Sequence, residues 1–251
     1  MYVRFNNNNE IREGYLQGDK VYYLNGPMLE GGVAGEAYVN LASVHLLAPC
    51  VPSKVVCVGL NYKDHAAEMN ETLPSEPLLF IKPSTSVIGH QEFIVAPSHS
   101  KRLDYEAELA IVIAKRAKNV SAEDASAYIF GYSCANDFTA RDLQLGDKQW
   151  TRGKSFDTFC PIGPGIVRTI NHDNAQIELT VNGEVRQKSN LNQLIFNAQQ
   201  VVSYISTHMT LLPGDVILTG TPHGVGPVSP GDTMTVTIEG IGSLTNQLVA
   251  A

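Results

Sequence analysis

The chain has 251 residues, 43% of them hydrophobic and 17% charged, with a formal net charge of -7 at pH 7. That length and composition supply one large core with room for a small appended unit, and they exclude a disordered chain. A negative balance without a basic block argues against binding nucleic acid or an anionic membrane surface, so an anionic ligand needs local positive charge from a metal or a few placed Lys and Arg side chains.

Residues 1–10 lack the charged-then-apolar pattern of a signal peptide, and no apolar stretch reaches the length of a membrane span; a cytoplasmic protein is expected. Residues 1–50 read as a small N-terminal β-rich segment, with a strand over 20–24 and a turn at Asn25-Gly26-Pro27. The Pro49 to Pro52 stretch marks a boundary, and 51–251 reads as the main domain. Within it, strands are expected at 55–60, 77–83, 111–114, 129–135, 177–181 before the turn Asn182-Gly183, 216–219 and 233–238. Helical spacing is confined to 122–127, 139–145 and 194–207. Strands outnumber helices and do not alternate with them, so the expected class is α+β, mainly β, with a mixed or largely antiparallel sheet rather than a doubly wound nucleotide-binding fold. Cys50, Cys57, Cys134 and Cys160 form no Cys-x-x-Cys pair and sit among apolar or small residues, as buried free thiols do.

The most informative segment is Asp104-Tyr105-Glu106-Ala107-Glu108-Leu109, with Asp137 closing a second apolar run. In a strand Glu106 and Glu108 project to one face, while Tyr105, Leu109, Ile111 and Ile113 line the other. Convergent carboxylates repel unless a cation or proton lies between them, so these three acids suit a hard divalent metal; a solvated acidic strand face is the plainer alternative. Asp137 equally suits the N-cap of the helix that follows. On that helix Arg141 and Gln144, at i and i+3, share a face that could orient an anion or could merely meet solvent.

After the strand at 55–60, a helix through Lys63 to Met69 would put His65 and Glu68 on one face, where the acid can orient the imidazole for proton transfer; a surface pair without a role has the same spacing. Lys154 sits in a turn-rich loop, the usual place of a solvated lysine. Thr219-Gly220-Thr221-Pro222-His223-Gly224 lacks the ending of a phosphate-binding Walker loop, and it allows either backbone approach to a small oxyanion, aided by Thr221, or a tight turn.

Taken in order, these segments resemble the fumarylacetoacetate hydrolase superfamily. The shared patterns are Gly-Leu-Asn-Tyr-x-x-His-x-x-Glu at 59–68, Phe-x-Lys-Pro-Ser-Thr at 80–85, Glu-x-Glu-Leu at 106–109, Asp-x-Thr-Ala-Arg-Asp-x-Gln at 137–144, Lys-Ser-Phe at 154–156 and Leu-Thr-Gly-Thr-Pro-x-Gly-Val-Gly-Pro at 218–227. The pattern is most similar to the short acylpyruvate hydrolase and oxaloacetate decarboxylase branch. The resemblance implies a mixed β-sandwich or β-roll, a catalytic domain over 51–251 and a homodimer. It makes Glu106, Glu108 and Asp137 ligands of Mg²⁺ or Mn²⁺, places Lys82, Arg141, Gln144 and Thr221 around a small anionic 2-oxo acid, and gives His65, Glu68 and Lys154 catalytic roles. The implied activity is divalent-metal-dependent cleavage of 2-oxo acids through a stabilised enolate, as oxaloacetate decarboxylation or acylpyruvate hydrolysis. The same machinery serves an isomerase or tautomerase of 2-oxo or 2-hydroxymuconate-type diacids, oxaloacetate keto-enol tautomerase included. A non-catalytic metabolite-binding protein is the reading from another class; loss of His65, Glu68 or Lys154 would mark it, and all three are present.

Overall fold

Apolar side chains of alternating parity build two facing sheets, and the computed structural model describes them over residues 1–251. The larger sheet has twelve strands. Its order runs Val33–Asn40, Lys20–Asn25, Glu10–Gln17, Tyr2–Asn7, Cys160–Val167, Ile129–Asn136, Ala107–Ile113, Val216–Leu218, Val55–Gly59 and Leu78–Lys82, with His45–Leu47 and Val87–Ile88 paired off this path. Most pairs are antiparallel; Val216–Leu218 with Val55–Gly59 and Cys160–Val167 with Val87–Ile88 are parallel. A second sheet of five strands runs Glu184–Asn190, Gln176–Val181, Thr233–Ile238, Gly242–Ala250 and Phe93–Ala96. The fold is therefore α+β and mainly β, with mixed sheets.

The central strand Ala107–Ile113 is buried on both faces. Ala107, Leu109, Ile111 and Ile113 enter the largest core cluster, shared with Ile177, Leu179, Val236 and Ile238 of the second sheet and with Val201, Val202 and Ile205 of the helix Ala198–His208. Ala110 and Val112 point the other way, into a second cluster with Val55, Cys57, Phe130 and Val216. Continued backwards along the chain, that second parity reaches Glu108 and Glu106, so the pleat that fills the core also delivers both acids to one side. The five N-terminal strands carry a small cluster of their own, Val3, Phe5, Val21 and Leu46, yet extend the large sheet through Tyr2 opposite Ile166. All four cysteines are free and buried; burial pushes the thiols of Cys50, Cys134 and Cys160 up to about 12 and that of Cys57 well above its ordinary value, which suits packing rather than chemistry.

Three helical expectations shift. The segment expected over 194–207 becomes helical only at Ala198–His208, because Asn197 and Gln200 form a reciprocal capping box while Ile195 and Phe196 give their backbones to Asn61. The one expected at 139–145 runs over Arg141–Asp147, since Thr139 and Ala140 pair with Leu103–Tyr105. The one at 122–127 is only a 3-10 turn, Ala125–Tyr128, too short a run to propagate an α-helix. No helix is long and apolar enough to cross a membrane.

Candidate active site

The strand closes to hydrogen bonding at Glu106, whose N–H goes to the Asn136 side chain at 2.9 Å and whose carbonyl accepts from Asp137 N at 2.9 Å. Across the sheet Ala135 faces Glu108, and its small side chain leaves space on the acidic side. Glu106, Glu108 and Asp137 are all buried, and one oxygen from each lies within 4.8 Å of the others. A solvated acidic face is thus excluded. Asp137 caps no helix either: the next helix starts after Ala140 without a side-chain cap, and both Asp137 oxygens are taken by lysines.

The counter-charges come from three elements. Lys82, at the end of Leu78–Lys82, is fully buried and donates to Asp137 Oδ1 at 2.5 Å and to the Phe138 carbonyl at 3.1 Å. Lys154 ends the short helix Thr151–Lys154, and its ammonium bridges Glu106 Oε2 at 2.8 Å and Asp137 Oδ2 at 2.6 Å. Gly153 makes that approach possible, because a Cβ there would stand 2.8 Å from Gln144 N and 3.0 Å from the Ala140 carbonyl. Arg141 spans Asp104, Glu106 and Gln144, with Nε 2.8 Å from Asp104 Oδ2 and Nη1 2.5 Å from Gln144 Oε1. Glu108 differs from its neighbours: its bond is to a backbone amide, Gly220 N at 2.6 Å, and no lysine or arginine pairs with it.

The titration behaviour follows that asymmetry. Burial alone would raise the Glu106 carboxyl, but the charges of Lys154 and Arg141 hold it down at about 2. Burial pushes Glu108 well up, and the charges of Asp137 and Glu106 push it further. Burial disfavours the Lys154 ammonium, yet Asp137 and Glu106 outweigh that and raise its pKa. One buried acid therefore lacks a cationic partner beside two that have one, and the donor set is all oxygen. That set fits a hard divalent cation, which Glu106, Glu108 and Asp137 would hold.

The three acids line a cavity of about 80 Å³ with His65, Phe80, Arg141, Gln144, Trp150, Lys154 and Thr221. His65 lies on the helix Lys63–Glu68, and its Nδ1 is 2.9 Å from Glu68 Oε2. That pairing leaves Nε2 as the ring atom available to a molecule in the cavity. Glu68 Oε1 accepts from Gly224 N at 3.1 Å, and Asp64 accepts from the Ser189 hydroxyl, so the helix is tied to the glycine-rich loop and to the second sheet. Thr221 Oγ1 accepts from Gln187 Nε2 at 2.8 Å, while Gln187 Oε1 accepts from Ala107 N at 2.8 Å. Of the residues singled out from sequence, two lie outside the cavity wall: Lys82 sits behind Asp137, and Glu68 behind His65.

Sequence reasoning passed over Asp104, which holds Arg141, Gln187, which holds Thr221, and the apolar wall of Phe80 and Trp150, whose rings meet edge to face at 5.1 Å. Asp104 stood beside the acid pair and Trp150 is the single tryptophan, so both carried a signal; Gln187 carried none.

The family model described as "Fumarylacetoacetate (FAA) hydrolase C-terminal" matches residues 54–249. The chain belongs to the fumarylacetoacetate hydrolase family. A second model, "Rv2993c-like, N-terminal", matches residues 1–49. An uncharacterized protein of Archaeoglobus fulgidus is 51% identical over 249 residues, covering 99% of this chain and 96% of its own. A mitochondrial oxaloacetate tautomerase of Bos taurus is 45% identical over 221 residues, 83% of this chain and 70% of its own. Among solved structures, a 5-carboxymethyl-2-hydroxymuconate delta-isomerase from Mycobacterium smegmatis superposes with a TM-score of 0.93 at 40% identity, covering 100% of this chain and 99% of that one. The last two are named for tautomerisation and isomerisation, activities that share a proton transfer next to a carbonyl.

Proposed function

We propose that this chain catalyses the metal-dependent enolisation of a small anionic 2-oxo acid, interconverting keto and enol forms of a diacid such as oxaloacetate. The observation that carries the reading is the opening of His65, backed by Glu68, onto the same cavity as Glu106, Glu108 and Asp137. When bound there, Mg²⁺ or Mn²⁺ supplies the positive charge that acidifies the carbon next to the keto group. In the keto-to-enol direction His65 Nε2 takes the proton from that carbon and the oxygen gains one from solvent; in the reverse direction the oxygen gives its proton to solvent and the imidazolium protonates the carbon, while Glu68 holds the ring in position and offsets its charge. Lys154, kept charged by Glu106 and Asp137, faces the negative charge that builds on the keto oxygen. Arg141, Gln144 and Thr221 line the wall against which the substrate carboxylate is oriented, and Phe80 with Trp150 keeps water off the apolar side.

Cleavage of the carbon–carbon bond, as oxaloacetate decarboxylation or acylpyruvate hydrolysis, is the second reading. Its hydrolytic form is favoured by Glu68, which is 42% exposed and connects the histidine to solvent, as a water-activating pair requires; decarboxylation needs no attacking water. The test is a panel with Mg²⁺ or Mn²⁺ present: ketonisation of enol-oxaloacetate, loss of CO₂ from oxaloacetate, and hydrolysis of acetylpyruvate, each above the protein-free metal rate. Saturable ketonisation exceeding both cleavage rates supports the first reading. Saturable cleavage without ketonisation replaces it by the second.

A further inference from the structure

Asn61 is fully buried two residues after the strand Val55–Gly59, and it belongs to no part of the chemistry above. Its side chain is nevertheless fully engaged: Nδ2 donates to the Phe196 carbonyl at 3.0 Å and to the Thr219 carbonyl at 2.8 Å, and Oδ1 accepts from Phe196 N at 2.8 Å. Its own carbonyl accepts from Ile195 N at 2.8 Å. The Thr219 carbonyl and the Gly220 amide are two ends of one planar peptide unit. The Gly220 end donates to Glu108 Oε2 at 2.6 Å, the hydrogen bond that holds that acid. Gly220 itself has φ +95 and packs so closely that a Cβ would stand 2.8 Å from Asn61 Cβ.

We propose that Asn61 is a positioning residue for Glu108, acting through the Thr219–Gly220 peptide. Pinned to Phe196 by a two-way pair of bonds, the amide has one rotamer, and its Nδ2 fixes the rotation of the peptide plane. The plane in turn aims the Gly220 N–H at one Glu108 oxygen and so sets the orientation of the carboxylate that lies beside Glu106 and Asp137. Donation to the Thr219 carbonyl also polarises the same peptide and strengthens its N–H as a donor. Outer hydrogen bonds of this kind orient a ligand and change metal affinity by about 10–100-fold when lost. The inference rests on the reading of Glu108 as a metal ligand.

The test is Mn²⁺ binding to the whole chain, followed by calorimetry and by the electron paramagnetic resonance signal of the ion, for the parent, Asn61→Ala, Asn61→Asp and Ser206→Ala. The last removes a buried hydroxyl on the helix Ala198–His208 that accepts from Val120 N at 2.9 Å and donates to the Ser203 carbonyl at 2.8 Å, so it lowers stability without touching the Thr219–Gly220 peptide or the cavity. The expected result is Mn²⁺ binding at least about tenfold weaker in both Asn61 variants, with a broadened ion signal, and parent-like binding in Ser206→Ala. Parent-like affinity in the Asn61 variants, or losses in all three that track stability, overturns the proposal. Failure of both Asn61 variants to fold also overturns it, by assigning Asn61 to the scaffold. Absence of Mn²⁺ binding by the parent is a different result, since it removes the metal reading itself.

Discussion

Replacing Lys82 by methionine isolates the charge that backs the buried acids. The side chain is fully buried, its ammonium lies 2.5 Å from Asp137 Oδ1, and methionine keeps the unbranched apolar stem while deleting the charge. Removing one partner of a buried ion pair costs about 3–5 kcal/mol, because the other charge is left in a poorly solvating interior. Asp137 keeps Lys154 at 2.6 Å, so the lower end, about 3 kcal/mol, applies here. For a domain of this size each kcal/mol moves the midpoint by about 2–4 °C, which gives a fall of about 6–12 °C. Scanning calorimetry in chelator reads this directly, and a second scan in Mg²⁺ should show a larger stabilisation of the variant than of the parent. A variant that melts within about 1 °C of the parent in chelator would refute the argument that Asp137 depends on Lys82.

Metal uptake should release a proton at mildly acidic pH, because burial and then the charges of Asp137 and Glu106 raise the Glu108 carboxyl, whereas a ligand must be ionised. In the metal-free chain the same raised pKa means stability that is fully present below about 4.5 and lost as pH rises through the folded value. Titration calorimetry in buffers of different ionisation heat counts the proton, and a count of zero near pH 5 contradicts the assignment. Asp215→Asn should flatten the acid limb of stability: burial alone would raise this carboxyl, but hydrogen bonds from Lys54, Ser53 and Leu212 lower it, so its contribution is present above the ordinary aspartate value and lost as pH falls through the folded one. Equal losses in parent and variant between pH 4 and pH 2, followed by circular dichroism, would show that Asp215 is not the group that titrates. His65→Ala should leave Mn²⁺ affinity within about twofold and lower the ketonisation rate by about 10²–10⁴-fold, since only the proton carrier is lost; a parallel loss of metal binding would mean that the ring holds the site together instead.

The gathering of Glu106, Glu108 and Asp137 was legible because strand period alone puts the first two on one face and an apolar run ends at the third. Likewise His65 and Glu68 meet as their i and i+3 spacing demands. What the spacing left open was burial. The same alternation describes a solvated edge, and only the neighbouring strands Ile129–Asn136 and Val216–Leu218 make this one central. Lys154 read as a loop lysine because nothing local reveals that Gly153 lets its turn settle against Ala140 and Gln144. Asn61 stood in the Gly-Leu-Asn-Tyr pattern without a role and Gln187 in no pattern at all: their partners lie 135 and 158 residues away for Asn61, and 80 and 34 for Gln187, so nothing local reveals what they hold. The helix starts moved because capping at Asn197 and strand pairing at Thr139 override periodicity.

The measurement that tests metal-assisted enolisation most directly is the decay of enol-oxaloacetate absorbance with the metal-stripped chain, in excess chelator and after Mg²⁺ or Mn²⁺ is restored, each corrected for the same solution without protein. Metal-assisted enolisation requires saturable acceleration that vanishes in chelator, returns with the metal, and is absent from Glu108→Gln. Acceleration that persists undiminished in chelator, or is retained by Glu108→Gln, would contradict it.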